Sequence, residues 1–178
     1  EIADALQAYY DAGLSVIPVE ARGKRPQFSL LPFDERGSPS WSEYQQRRAR
    51  YDELEWWKVD AHGVGIVCGA ISGGVYGLDV DHVGFTDWLL STVGPLLAKT
   101  WTVRTGSGKL HIYVHSTTPA YTSTLVRDGQ RLADVRGDGV NGRGSYLVAP
   151  PTIHPSGGAY QTLYGTPSSI ASVSDVSV

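Results

Sequence analysis

Residues 75–81, "VYGLDVD", set two carboxylates, Asp79 and Asp81, in alternation with the apolar Leu78 and Val80. Side chains on a strand point alternately to opposite faces. A strand here therefore turns both carboxylates one way and both aliphatics the other. Like charges held this close repel unless a cation or a proton neutralises them. The segment asks for a sheet with one apolar face and one face that meets water or holds something positive.

Two further segments repeat the pattern. In "KLHIYVH" (109–115), Leu110, Ile112 and Val114 share the inward face, and Lys109, His111, Tyr113 and His115 share the other. In "RLADVRG" (131–137) the alternation is weaker, with Leu132, Asp134 and Arg136 on one side and Ala133 and Val135 on the other. If these strands pair, one face gathers Asp79, Asp81, Asp134, His111, Lys109 and Arg136. Three carboxylates on neighbouring strands can hold two divalent cations about 3.5–4 Å apart. Hard oxygen donors suit Mg²⁺ or Mn²⁺, which share phosphate oxygens with a substrate. The adjacent His, Lys and Arg can bind a triphosphate. The glycines of "TGSGK" (105–109) let backbone N–H groups and the Ser107 hydroxyl approach phosphate. The chemistry implied is in-line nucleotidyl transfer, one metal activating a 3′ hydroxyl and the other stabilising the leaving pyrophosphate. Each piece is weak alone. An Asp-x-Asp pair is common on exposed strands, a single histidine is commonly structural, and a glycine turn is commonly just a hairpin. "TGSGK" also lacks the spacing of a Walker A loop.

The rest of the chain supplies a frame. Ile2, Ala5, Leu6 and Tyr9 share a helical face over residues 2–12, and Gly13 ends that helix. "LSVIPVE" (14–20) reads as a strand that Pro18 confines to an edge or an end. A Pro/Gly-rich loop follows over 21–40, of a length that is usually functional or mobile. Residues 40–60 read as one helix capped by Ser40 or Ser42. Strands are expected at 63–69 and 75–81, joined by "AISGG", and at 100–105, 109–115, 131–137, 145–150 and 159–165. A helix over 84–100 should break at Gly94-Pro95. This order predicts an α+β fold with a mostly antiparallel sheet. The expected division is a catalytic unit over 1–168 and a linker over 169–178 leading to a further region.

Composition excludes several classes. The chain has 178 residues, 41% of them hydrophobic and 19% charged, which is a globular balance. No apolar run approaches the roughly 20 residues of a membrane helix, no signal peptide is visible, and no membrane partner is expected. The single Cys68 leaves no internal disulfide, which suits a reducing cytoplasm. The absence of methionine points to a processed chain or a piece of a longer one. A net charge of −3 is not that of a tight non-specific nucleic-acid binder, although Arg22, Lys24, Arg25 and Arg47, Arg48, Arg50 form local basic clusters. Trp41, Trp56 and Trp57 can stack on bases, but core packing is the commoner task for such residues.

Taken in order, the motifs resemble the bifunctional DNA primase/polymerase (prim-pol) domain of the archaeo-eukaryotic primase superfamily. The resemblance runs from about Ala5 to Tyr160. It is carried by "ALQAYYDAGLSVIPVEARGKRP", "GVGIVCGAISGGVYGLDVD", "TVRTGSGKLHIYV", "ADVRGDG" and "SYLVAPPTIHPSGGAY". It implies a two-lobed fold, with an RRM-like, mostly antiparallel catalytic sheet flanked by helices and a smaller N-terminal α/β lobe. It implies Asp79, Asp81 and Asp134 as ligands of two Mg²⁺ or Mn²⁺ ions, with His111 on the nucleotide phosphates. The nucleotide-binding set expected is His111, Ser107, Gly108, Lys109, Arg104, Arg136 and Lys24. The implied substrates are nucleoside triphosphates and a single-stranded or primed DNA template. The implied setting is plasmid, phage or similar replication, with a helical segment and a helicase domain in the full-length protein. Two departures stand out. Lys109 occupies a position usually held by a small residue, and "DGVNGRG" (138–144) is longer than the expected turn, with Arg143 able to touch template or to sit in a passive insertion. A rolling-circle nicking endonuclease is an alternative, since "HIYVH" puts two histidines and a tyrosine on one face. Its metal-binding histidines, however, would normally lie closer together, and Asp79 and Asp81 would have no task. A non-catalytic nucleotide- or single-strand-binding module is the other alternative, but it favours aromatics over carboxylates on the open face.

Overall fold

The computed structural model describes residues 1–140 and 143–174. The chain opens with α1 (Ile2–Asp11), which buries Leu6 and Tyr9 and ends at Gly13. β1 (Ser15–Val19) follows, and the loop beyond it leads to α2 (Tyr51–Asp60) and β2 (Gly63–Val67). β3 (Val75–Val80) precedes α3 (Val83–Thr92) and the short α4 (Gly94–Leu97). Then come β4 (Thr102–Arg104), β5 (Leu110–His115), β6 (Ser123–Arg127), β7 (Gln130–Arg136) and β8 (Tyr146–Ala149). β9 (Gln161–Tyr164) and β10 (Ala171–Ser172) close the described chain. The fold is α+β, as the sequence predicts. The break at Gly94-Pro95 is present, with the proline in the first turn of α4, where no N–H is needed.

The strands form two sheets. The smaller has the order β1-β2-β8 and is antiparallel, with Val16 opposite Ile66 and Val64 opposite Ala149. Pro18 lies on its edge strand, as expected. The larger has the order β6-β7-β3-β5-β4-β9, all antiparallel, with β10 pairing in parallel with β5. The smaller sheet is thus not purely N-terminal, because β8 returns to it from late in the chain.

The two faces of the large sheet divide the core. Val80, Leu110, Ile112 and Ala133 pack with Leu89 and Leu97 of α3 and α4. The opposite face contributes Val75, Trp101, Val103 and Tyr113 to the main core, which also takes in the small sheet, α1 and α2. The face read from sequence as open and polar is therefore covered for half its length by the other sheet. Gly77 explains how close the sheets come: a Cβ there would lie 2.2 Å from Leu147 Cδ1 of β8.

Two other expectations change. The single helix over 40–60 is instead a 3₁₀ turn at Ser42–Gln45, an extended residue at Arg50, and α2. Arg47 and Glu53 account for the break. Glu53 accepts Arg50 N–H at 2.7 Å and pairs with Arg47 at 2.7 Å, so it caps α2 and fixes the segment before it. Trp57 is buried and donates to Leu30 O at 3.0 Å, whereas Trp56 is half exposed. In the segment expected as a linker from residue 169, Ala171 and Ser172 join β5, and 175–178 lie outside the described residues. In "DGVNGRG", Asn141 and Gly142 lie outside them as well.

Candidate active site

The register assembles the acidic face. Asp79 sits opposite His111 on β5 and opposite Asp134 on β7, and residues directly opposite share a face. Asp81 follows β3 immediately. One carboxylate oxygen from each of Asp79, Asp81 and Asp134 lies within 4.8 Å of the other two. Asp79 and Asp81, though not Asp134, open into a cleft of about 360 Å³ between the sheets. Thr105, Ser107, Lys109 and Lys24 line it with them, and Trp41, Tyr146 and Tyr160 add aromatic walls.

An alternating chain of charge runs through the site. His111 Nε2 lies 3.4 Å from Asp79 Oδ1, and Arg136 Nη2 donates to Asp79 Oδ2 at 2.8 Å. The same Arg136 nitrogen is 3.1 Å from Asp134 Oδ2. Arg131 Nη2 bonds that Asp134 oxygen and reaches within 3.8 Å of Asp81 Oδ2. Lys109 Nζ stands 3.6 Å from Asp81 Oδ1. Thr124 Oγ1 donates to the remaining oxygen of Asp134 at 2.9 Å. Burial opposes ionisation of Asp79, but His111 and Arg136 outweigh it and hold the carboxyl well below the usual range. Burial likewise works against the Arg136 charge, and Asp79 and Asp134 more than restore it. The Tyr160 hydroxyl is pushed up by burial and by the charges of Asp79 and Asp81.

The glycine turn is built to stay in place. Thr105 N–H and Lys109 O close it at 2.9 Å, Gly108 takes φ +85°, and Thr105 Oγ1 accepts Lys109 N–H at 3.0 Å. Behind it lies the His154-Pro-Ser-Gly loop, whose Ser156 Oγ donates to Gly106 O at 3.1 Å. His154 Nδ1 accepts Ser156 N–H at 3.0 Å. A Cβ on Gly106 would fall 2.2 Å from Gly158 O, so only glycine permits this docking.

Of the residues singled out from sequence, Asp79, Asp81, Asp134, His111, Lys109 and Arg136 converge in the contacts above. Ser107 and Lys24 line the same cleft, with Gly108 at the bend of the turn. Arg104 does not join them. It pairs with Leu110, one residue from His111, and so belongs to the face that α3 and α4 cover. Arg143 lies apart with Asp138 and Val140 in a separate hollow. Trp41 packs edge-on against Tyr146, with ring centroids 5.1 Å apart, at the cleft wall.

Sequence reading missed Arg131. Simple alternation puts it on the opposite face from Asp134, three residues on. The structure has a bulge there: Ala133 faces Leu125, Arg131 faces Val126, and Leu132 is the extra residue. Leu132 O accepts the N–H groups of both Asp81 and His82 at 3.2 Å. A bulge re-aims the side chains beside it, and this one brings Arg131 onto the acidic face. Nothing in the string "RLAD" marks it.

A family model described as bifunctional DNA primase/polymerase, N-terminal, matches residues 6–175. No curated protein was found to match the chain. Among the described residues, no helix is long and apolar enough to cross a membrane.

Proposed function

The chain belongs to the bifunctional DNA primase/polymerase family, and on that premise we propose that it is a template-dependent nucleotidyltransferase joining nucleoside triphosphates to a primer 3′ hydroxyl. The observation that carries the reading is the convergence of Asp79, Asp81 and Asp134 in one cluster, at a cleft that His111 and a rigid glycine turn line. The donor set is all carboxylate oxygen and its atoms lie close enough to share ions, so it fits Mg²⁺ or Mn²⁺. Asp79, Asp81 and Asp134 would hold the pair, which when bound supplies the charge that activates the attacking hydroxyl and neutralises the leaving pyrophosphate.

The protein's own groups do the rest. Asp79 stays ionised because His111 and Arg136 flank it, so no proton competes for its oxygens near neutral pH. Lys109, Ser107 and Lys24 line the same cleft and offer charge and a hydroxyl to a triphosphate. His111 is buried against Tyr160, with ring centroids 5.6 Å apart, which restrains its ring for a phosphate contact. The half-buried Trp41 and Tyr146 also line the cleft and offer aromatic surface to a nucleoside. DNA template and, in the full-length protein, a helical segment and a helicase domain are the partners this reading assigns. Replication of a plasmid, phage or similar replicon is the setting it assigns.

Primer extension on a primed template with deoxynucleotides and Mg²⁺ or Mn²⁺ tests the reading. The Asp79→Ala/Asp81→Ala variant should fold and incorporate nothing, and His111→Ala should raise the nucleotide KM and slow incorporation. Metal-dependent nicking with a covalent tyrosyl-DNA product, or DNA binding with no incorporation by the unaltered protein, would refute it.

A further inference from the structure

The chain of charge in the cleft has an inner and an outer half. Arg136 bridges Asp79 and Asp134, whose side chains are only 16% and 7% exposed. Arg131 and Lys109 pair with Asp81 from outside, and the Arg131 side chain is 54% exposed. Arg131 Nη2 bonds Asp134 Oδ2 and reaches within 3.8 Å of Asp81 Oδ2, so it sits on two of the three carboxylates a shared cation would need. With Lys109 on Asp81 Oδ1, both oxygens of that carboxylate already face a cation. A divalent ion entering alone must displace these groups or bind beside them against their charge.

We propose that Arg131 is a triphosphate-binding residue that doubles as an exchangeable counter-ion, guarding Asp81 and Asp134 until a nucleotide draws it away. The inference rests on the nucleotidyltransferase reading of the cleft. Ion pairs open to solvent hold weakly, typically by less than about 1 kcal/mol, so Lys109 and Arg131 can leave Asp81. Arg131, itself half exposed, can also leave Asp134, because Arg136 and Thr124 still hold that carboxylate. A guanidinium fork fits phosphate oxygens bidentately. Lys109 lines the cleft beside Ser107 and contacts Asp81 Oδ1, and Arg131, outside the cleft lining, contacts Asp81 Oδ2, so a triphosphate reaching from the glycine turn past Asp81 would meet both. As the two cations turn onto phosphate, Asp81 is freed for metal and Asp134 keeps only Arg136 and Thr124. Metal and nucleotide then bind with positive coupling, and each raises the other's affinity by the same factor. The bulge at Leu132 is the structural device, since without it Arg131 would face α3 and α4.

The test measures binding without turnover. Mn²⁺ is titrated against the full chain by the loss of its free EPR signal, alone and with a non-hydrolysable deoxynucleoside triphosphate. The same analogue is titrated separately in EDTA. Arg131→Gln should bind Mn²⁺ alone roughly two- to fivefold more tightly, since a competing cation is gone. It should bind the analogue more weakly and show less coupling between the two. Arg131→Lys keeps the charge and should stay near the unaltered protein for Mn²⁺ alone, while losing affinity for the analogue. Opposite signs for the two ligands exclude general damage to the site. Unchanged affinities in Arg131→Gln, or weakening of both together, would overturn the proposal. The Asp79→Asn/Asp81→Asn variant separates it from the underlying reading. If that variant binds Mn²⁺ as well as the unaltered protein, the metal site itself is wrong. If it does not, a null result at Arg131 removes only the counter-ion role.

Discussion

Arg136 is the group on which the acidic cluster should depend most for stability. Replacing it by Met keeps much of the side-chain length and removes the charge that joins Asp79 Oδ2 at 2.8 Å to Asp134 Oδ2 at 3.1 Å. Breaking a fully buried ion pair by deleting one partner costs about 3–5 kcal/mol. Arg136 is 27% exposed, and Asp79 keeps His111 while Asp134 keeps Arg131 and Thr124. These remaining partners reduce the expected loss to about 2 kcal/mol. Urea unfolding in EDTA at neutral pH measures it, with an unchanged m value showing that the loss lies in the native state. A second substitution isolates the cause. Asp79→Asn alone should destabilise, because Arg136 loses a partner. In the Arg136→Met background the same change should cost much less, because Asp79 has already lost Arg136 and keeps only His111. The coupling in that cycle should be about 1–2 kcal/mol. Mg²⁺ should stabilise Arg136→Met more than the unaltered protein, since it replaces the missing charge. A loss below about 0.5 kcal/mol, the ordinary range for surface changes, or a coupling near zero, would refute the view that Arg136 neutralises the inner carboxylates.

Two further outcomes follow from other parts of the structure. Gly106→Ala drives a Cβ to 2.2 Å from Gly158 O and 2.4 Å from the His154 Cβ, so the turn must lift off its supporting loop. Stability should fall by about 1–3 kcal/mol, and the KM for nucleotide should rise more than kcat falls; nucleotide kinetics matching those of the unaltered protein would show that the turn does not position phosphate. Glu53 ties the segment before α2, and although burial opposes its charge, Arg47, Arg50 N–H and Tyr44 OH lower its pKa from 4.5 to about 2. A depressed carboxylate pKa contributes stability that is complete above the unfolded value and is lost as pH falls through the folded one. Stability should therefore drop by up to about 3 kcal/mol between roughly pH 5 and pH 2; Glu53→Gln should flatten that part of the profile, and an equally steep fall in the variant would assign the loss elsewhere.

What could be read from the sequence was whatever depends on the two-residue period of a strand. Asp79, His111 and Asp134 each stand at a polar position between aliphatics, and pairing alone brings them together. Parity also exposes the error at Arg104, which pairs with Leu110 and so takes that residue's face. The helix over 40–60 failed for a different reason. Good helix formers fill the segment, but Glu53 binds Arg47 and the Arg50 N–H, and these tertiary-like local contacts outweigh propensity. Arg131 was hidden because a bulge is a property of pairing, and the pairing partner of Leu132 is not written next to it.

The cover over the acidic face was equally hidden, and it bears directly on how the cleft works. An open sheet would leave Asp79 and Asp134 in water, where neighbouring cations shift a carboxylate little. Gly77 lets Leu147 of β8 settle against the sheet two residues from Asp79. On the covered face the side chains of Asp79 and Asp134 are 16% and 7% exposed, while that of Asp81 is 41% exposed. Burial raises the cost of leaving charge unmatched, which is why Arg136 must be fixed inside. Exposure at Asp81 lowers the cost of breaking a pair, which is why Arg131 and Lys109 can exchange. The same sheet face thus carries a permanent counter-ion on its buried carboxylates and replaceable ones at the exposed Asp81.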